Sequence, residues 1–405
     1  MSYLTLVAKV EAGQAEERVL LDAMYCATKV WNGLIWHLRQ EYEQTGKTNL
    51  SLKHLERLID DLPRAKGYFS LSVQATRNEV RWAYKSFFSL RKAGYVRASM
   101  PGYRRKNSYS GLRYFDGYGF KIEGDRLTIS LGTRRMDGVQ HVTVRFQHRP
   151  DVVYRKVVSV ILTYDKKNGI EAHLVIDVED GKAKGSRKVA VDLGETQAIS
   201  AIFDNGQAFL YNGRKIKAVR RYWQKVRSKV KPPTEENQNK SKRYRQIERK
   251  EYRQVCHLLH ILTKDFVERC YLAGVDTIAI GDLTGIRQKI DYGKTVNQHL
   301  HAWPFAKVTA MIEYKARLHG IQVIKVDEAY SSQTCHGCHK IARPNRKTRG
   351  QYQCSCGWQA HADINSAANL FQTAFQVSPF IRSSGDVTSP AVVSLQFERH
   401  MVCKA

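Results

Sequence analysis

Residues 328–340 read E-A-Y-S-S-Q-T-C-H-G-C-H-K, and after a basic loop residues 352–369 read Y-Q-C-S-C-G-W-Q-A-H-A-D-I-N-S-A-A-N. The stretch holds two cysteine pairs, Cys335-x-x-Cys338 and, fifteen residues later, Cys354-x-Cys356. Tetrahedral Zn²⁺ takes four soft ligands, and two facing knuckles supply them. Gly337 and Gly357 suit the tight turns that knuckles need. The second pair is C-x-C where C-x-x-C is commoner. Four thiolates close the coordination sphere, so one Zn²⁺ is expected, structural rather than catalytic. Unrelated free thiols and disulfides are the competing readings. Paired knuckles at ribbon spacing weigh against both.

Asp363 opens an apolar helix with Ile364, Ala367, Ala368, Phe371 and Phe375 at helical spacing. An aspartate there ordinarily caps the helix. It gains another meaning only if other carboxylates converge on it.

Lys and Arg outnumber Asp and Glu 66 to 38 in 405 residues, a net charge of +28. That excess points to a polyanion, nucleic acid first. No apolar run approaches the roughly 20 residues that span a bilayer, so no membrane partner is expected. No signal segment is read at Met1. Cys26, Cys256, Cys270 and Cys403 are scattered, which suits a reducing interior better than a secreted disulfide scaffold.

Working outward, residues 3–10 read as a strand. Helices are expected over 15–40, 51–61 and 71–93, their single apolar faces being ordinary core. Residues 94–119 are rich in Gly, Tyr and Arg. Tyr103, Arg104, Arg105 and Lys106 there are candidate contacts to phosphates and unpaired bases, against the plainer reading of a solvated loop. Strand texture returns over 119–179. With the first strand it suggests a small barrel, the helices inserted after its first strand. A polar linker at 181–188 marks a domain boundary.

The second half begins with V-A-V-D-L-G-E, a strand carrying Asp192, then a hairpin turning at Asp204-Asn205-Gly206. Residues 214–250 are basic and broken by Pro232 and Pro233, giving two helices and a polar loop. Arg220, Arg221, Lys225 and Arg227 are read as phosphate contacts, although a charge run is usually a solvated face. A buried strand over 275–283, a polar loop with Gln288 and Lys289, a helix over 306–319 and a strand ending at Glu328 follow. Three antiparallel strands and then alternating helices and strands is the ribonuclease H order, a mixed sheet with helices on its faces.

That order sets Asp192, the end of the fourth strand and Asp363 side by side. Clustered carboxylates hold hard cations such as Mg²⁺. Two such ions about 4 Å apart hydrolyse phosphodiesters. The bland alternative has Asp192 ending a strand and Asp363 capping a helix.

The chain resembles the TnpB family, RNA-guided nucleases carried by insertion sequences, and the compact type V CRISPR effectors. The matching pieces are V-A-V-D-L-G at 189–194, D-L-T-G-I-R at 282–287, Y-K-A-x-x-x-G-I at 314–321, Y-S-S-Q-T-C-x-x-C at 330–338, C-x-C-G at 354–357 and D-I-N-S-A-A-N at 363–369. Trp31-Asn32, Phe87-Phe88 and Pro101 match more loosely. The resemblance implies a multi-domain α/β protein. Its wedge barrel would take residues 1–14 and 116–185, with a helical recognition insertion over 15–115. A RuvC-like nuclease domain of RNase H fold would take 186–329 and the final helix 361–376, interrupted by a zinc ribbon over 330–360 that binds target nucleic acid. A tail covers 377–405. The resemblance also implies a guide RNA, a double-stranded DNA target cut beside a short motif, and action as a monomer or as a homodimer on RNA.

One departure matters. The family usually carries Glu at the end of the fourth strand, where this chain has Gly281. Asp282 is one candidate replacement, though one step along a strand turns a side chain to the other face. Glu328, ending the neighbouring strand, is the favoured one. The expected catalytic and Mg²⁺-binding set is therefore Asp192, Glu328 and Asp363. A nuclease-inactive RNA-guided binder, and a transposase- or resolvase-like enzyme without a guide, are the alternatives.

Overall fold

The computed structural model describes residues 2–147, 154–166, 168–230, 241–283, 303–348, 350–381 and 387–393. The proline pair at 232–233, residues 284–287 of the D-L-T-G-I-R stretch, the loop with Gln288 and Lys289, and Cys403 lie outside them. The chain forms two compact units, Met1–Glu179 and Asp180–Ala405.

In the first unit β1 (Ser2–Glu11) leads into helices α1 (Gln14–Thr45), α2 (Leu52–Asp60) and α3 (Ser70–Lys92). Strands β2 (Leu112–Phe115), β3 (Phe120–Glu123), β4 (Arg126–Ser130), β5 (His141–Phe146), β6 (Lys156–Asp165) and β7 (Gly169–Val178) complete it. They form one antiparallel sheet in the order β2-β6-β7-β1-β5-β4-β3. Strand β1 pairs with β7 over Ser2–Lys9 and hands over to β5 at Val10↔Phe146, which turns the sheet on itself. The expected barrel is only approached: among the described residues no ladder joins the edge strands β2 and β3. Strand β2 falls inside the segment read as the helical insertion, yet it pairs with β6 and is part of the sheet.

Leu20, Met24, Ala27, Trp31, Leu34 and Leu38 give α1 its buried face. Residues 101–104 are tied down on this helix. Trp31 Nε1 donates to Gly102 O (3.1 Å), Arg39 to Pro101 O (2.9 Å), and Asn32 exchanges two bonds with the Arg104 backbone. Arg135, before β5, is buried and donates to Gly67 O (2.6 Å), Asp22 (3.2 Å) and Asp137, fastening the β4–β5 loop to the helices.

The second unit runs β8 (Arg187–Asp192), β9 (Gln197–Phe203), β10 (Ala208–Asn212), α4 (Arg214–Ser228), α5 (Lys242–Leu272), β11 (Val275–Asp282), α6 (Phe305–Leu318) and β12 (Gln322–Asp327). After the cysteine segment, with β13 (Tyr352–Gln353) and β14 (Gln359–Ala360), come α7 (Ala362–Phe375) and β15 (Ala391–Val393). The sheet order is β12-β11-β8-β9-β10-β15. Apart from β15 this is the ribonuclease H order: a three-stranded meander, the fourth strand parallel to the first, the fifth parallel to the fourth.

Each strand alternates between two cores. Val189, Val191, Ile199, Ile278 and Ile280 pack with residues of α5 and α6 on one face. Ala190, Ile202, Ala279 and Val326 pack with Ile364, Ala367, Ala368, Leu370 and Phe371 of α7 on the other. Full burial of Ile, Leu or Phe contributes about 1.5–3 kcal/mol each, so α7 is a strongly held element.

The tail turns out to be structured in part. Phe380 N–H donates to Asp204 O (2.7 Å), and the chain passes so close to Gly206 that a Cβ there would lie 2.3 Å from Phe380 O. Gly206 also has φ +81°, so both turn and crossing require glycine. Val387, fully buried, packs in the α7 core, and its carbonyl accepts from His361 N–H (2.6 Å). The tail thus bonds the start of α7 and adds β15 parallel to β10.

Candidate active site

The register decides which side chains share a face. On β8, Ala190 faces α7, so Asp192 does too. On β11, Ala279 and Gly281 face α7, while Asp282 shares the opposite face with Ile278 and Ile280. On β12, Val326 faces α7, and Glu328, just past the strand end, continues on that side. Gly281 pairs with Val326, and Asp282 with Asp327.

The Glu328 carboxylate lies in the space a side chain at residue 281 would take. A Cβ on Gly281 would lie 2.7 Å from Glu328 Oε2 and 3.3 Å from Leu370 Cδ1. Oε2 is buried and has no hydrogen-bond partner among the described residues.

Asp363 stands in the first turn of α7 without capping it. The cap is His361, whose Nδ1 accepts from Asp363 N–H (3.3 Å). The Asp363 carboxylate accepts from Arg346 Nη2 (2.7 Å), an arginine on the loop between the two cysteine pairs. The visible signal for that cap was the His-x-Asp at the head of the apolar run, and histidine is a rare cap.

Burial pushes the Asp192 carboxyl well above the usual carboxylate range. The nearby charges of Glu328 and Asp363 push it further, and Arg346 pulls it back. Burial likewise pushes Glu328 up to about 7, with Asp282 and Asp327 adding to it. Asp192, Glu328 and Asp363 therefore share one neighbourhood. Asp282 acts on Glu328 by its charge but projects from the other face. The oxygens of the three carboxylates do not all come within 4.8 Å of one another as the cysteine sulfurs do, but mutually repelling carboxylates, one with a buried oxygen that lacks a donor, are the chemistry that holds a divalent cation.

Among the described residues, the four cysteines are the group whose metal-ligating atoms lie within 4.8 Å of one another. Sγ separations of 3.6 Å (Cys335–Cys356) and 3.7 Å (Cys338–Cys354) exclude disulfides. They match the edge of about 3.8 Å of a tetrahedron with Zn–S bonds of about 2.3 Å. The Trp358 indole packs beside this cluster and donates to Asn365 Oδ1 of α7 (3.0 Å).

The basic candidates divide. Arg104 is engaged by Glu79 (3.0 Å) and lies 3.9 Å over the Trp31 ring. Arg227 (2.8 Å) and Arg220 (4.0 Å) pair with the buried Glu251 of α5, bracing α4 on α5. Tyr103 is half exposed beneath Arg39. Arg105, Lys106, Arg221 and Lys225 are exposed, as is Tyr222 next to Arg221.

A ribonuclease H-order sheet with carboxylates at one end and a four-cysteine group define a two-unit α/β scaffold. Comparison with known proteins agrees. A family model described as "Probable transposase" matches residues 173–287, and one described as "Cas12f1-like, TNB domain" matches 305–370. The chain is 24% identical over 399 residues to the TnpB-like protein ORF457 of Acidianus two-tailed virus, covering 89% of this chain and 84% of the relative. It is 37% identical over 112 residues to the CRISPR-associated endodeoxyribonuclease Cas12f1 of Sulfoacidibacillus thermotolerans, a match spanning 27% of this chain and 25% of that protein. A solved Cas12f1–sgRNA–target DNA complex shares the fold, with a TM-score of 0.61 at 18% identity over 88% of this chain and 83% of that one. The chain is thus similar to TnpB-like proteins along most of its length and to type V effectors in its second unit. Among the described residues no helix is long and apolar enough to cross a membrane.

Proposed function

We propose that the chain is an RNA-guided, metal-dependent DNA endonuclease that hydrolyses phosphodiester bonds beside a short flanking motif. One observation carries this reading: Asp192 and Glu328 lie on the sheet face that packs on α7, whose first turn carries Asp363, and the Glu328 carboxylate occupies the space of a side chain at Gly281. The name of the Sulfoacidibacillus relative, an endodeoxyribonuclease, supports it. So do the guide RNA and target DNA bound by the solved Cas12f1.

In this reading residues 1–14 and 116–185 are the wedge and 15–115 the recognition insertion. Residues 186–329 and 361–376 are a RuvC-like domain, and 330–360 a ribbon ordered by one Zn²⁺. The partners are a guide RNA and duplex DNA, met in a prokaryotic cytoplasm by a monomer or by a homodimer on the RNA. Two Mg²⁺ ions held by the three carboxylates would polarise the phosphodiester, activate water and stabilise the leaving oxygen. The chain itself presents carboxylates from β8, from the end of β12 and from the first turn of α7. It buries Glu328 Oε2, and it holds Asp363 between Arg346 and a capped turn.

Gly281, standing where the family usually has Glu, favours a second reading, an inactive guided binder. The test is cleavage of a guide-matched plasmid by the chain purified with its RNA. Cutting that needs Mg²⁺, is lost in Asp192→Ala and Glu328→Ala and survives in Asp282→Ala is expected. Full cutting by Glu328→Ala removes the relocated carboxylate. Target binding without any cutting by the native chain establishes the second reading.

A further inference from the structure

We infer that Ser200 belongs to the metal-holding machinery, as a positioning residue whose hydroxyl bonds a water carried by the ion at Asp192. The inference rests on the metal-dependent reading above.

Ser200 pairs directly with Asp192 across the β8–β9 ladder. Directly opposed residues of antiparallel strands project from the same face, their Cβ atoms about 5 Å apart. Ala190 and Ile202, the next residues on that face, pack against α7, so the Ser200 hydroxyl enters the site from the β9 side. Ser200 is 1% exposed, and its Oγ has no hydrogen-bond partner among the described residues.

Other hydroxyls of the same unit behave differently. Thr263 Oγ1 donates to Leu259 O (2.7 Å), Ser366 Oγ to Ala362 O (3.3 Å) and Thr373 Oγ1 to Asn369 O (3.0 Å). A buried polar group left unpaired costs stability. The hydroxyl is not needed to fill space, because alanine fills the adjoining position 190 on the same face. Glu328 Oε2, also buried and unpartnered, lies on the same face. Two orphaned oxygens flanking Asp192 fit an ion with its water: Glu328 supplies a ligand, and Ser200 donates to or accepts from the water. Groups that orient a metal's ligands in this way typically change metal affinity by about 10- to 100-fold when removed.

The experiment uses the full chain with its RNA and Mn²⁺ as probe. Binding is followed by the loss of the free-ion EPR signal, and thermal melting is measured in chelator that leaves zinc in place. Ser200→Ala is expected to melt at or above the native temperature without Mn²⁺ and to need about tenfold more Mn²⁺ for half-saturation. Ser200→Thr, which keeps the hydroxyl, is expected to bind Mn²⁺ as the native chain does. An unchanged Mn²⁺ midpoint in Ser200→Ala overturns the inference. So does a lower melting temperature in chelator, since the hydroxyl would then have a partner within the protein. Asp192→Asn separates the two levels. If it too binds Mn²⁺ normally, the carboxylate metal site itself is wrong; if it does not while Ser200→Ala does, only the role of Ser200 falls.

Discussion

Glu328 and Gly281 compete for one volume: the Glu328 Oε2 atom lies 2.7 Å from where a Cβ on residue 281 would be. A carboxylate can therefore enter this corner from β11 or from the end of β12, but not from both. Gly281→Glu alone is expected to displace Glu328 and lower cleavage by at least about tenfold, a loss of about 1.4 kcal/mol in the barrier. Glu328→Ala alone abolishes it, and the double variant Gly281→Glu/Glu328→Ala recovers part. Plasmid cleavage rates of the four proteins check this, and a double variant no better than Glu328→Ala refutes the exchange.

The arginines divide by what they touch. Arg105→Ala, Lys106→Ala, Arg221→Ala and Lys225→Ala should weaken nucleic-acid binding and each reduce the slope of log affinity against log salt by about one, with stability nearly unchanged. Arg227→Ala leaves Glu251 buried without its closest partner. It should lower unfolding stability by about 1–3 kcal/mol, read from urea melts.

The thiol cluster should hold about one zinc per chain by atomic absorption. Stripping it with a strong chelator should lower the melting temperature and change Trp358 fluorescence, because the indole packs on the cluster and bonds Asn365. An unchanged spectrum after complete zinc removal would contradict a structural metal.

Lys315 predicts a pH dependence. Burial lowers it from 10.5 to about 8, with the charge of Lys264 acting the same way. Below about pH 8 the ammonium is charged in both states and the burial penalty is present in full. Between about 8 and 10.5 the unfolded chain binds a proton that the folded chain has released, so stability from this residue rises with pH. The stability of Lys315→Met relative to the native chain should therefore fall as pH rises through that window. Urea melts at pH 7, 8, 9 and 10 read it, and a constant difference would be the contrary result.

Much of the second unit is legible in the sequence because its strands alternate between two cores. V-A-V-D and I-A-I-G carry period-two patterning that fixes both strand and face, and with the ribonuclease H order they bring Asp192 near Gly281. What local pattern lacks is partnership at a distance. Leu112–Phe115 is four residues in a Gly- and Tyr-rich run, and only β6 makes it a strand. Ala391–Val393 is shorter still, and its partner, β10, lies far back in the chain. Arg104 looks like its basic neighbours until α3 brings Glu79 to it. Ser200 looks like any strand serine until the register sets it opposite Asp192.

The bond from His361 to Val387 also orders events during synthesis. Domains fold as they leave the ribosome. All strands of the first unit come from residues 2–178, so that unit can close while translation continues. The carboxylates lack their third member until Asp363 is made, and the helix carrying it lacks its tether until residue 387 follows. A growing polypeptide can thus close its first sheet long before its three carboxylates are all present.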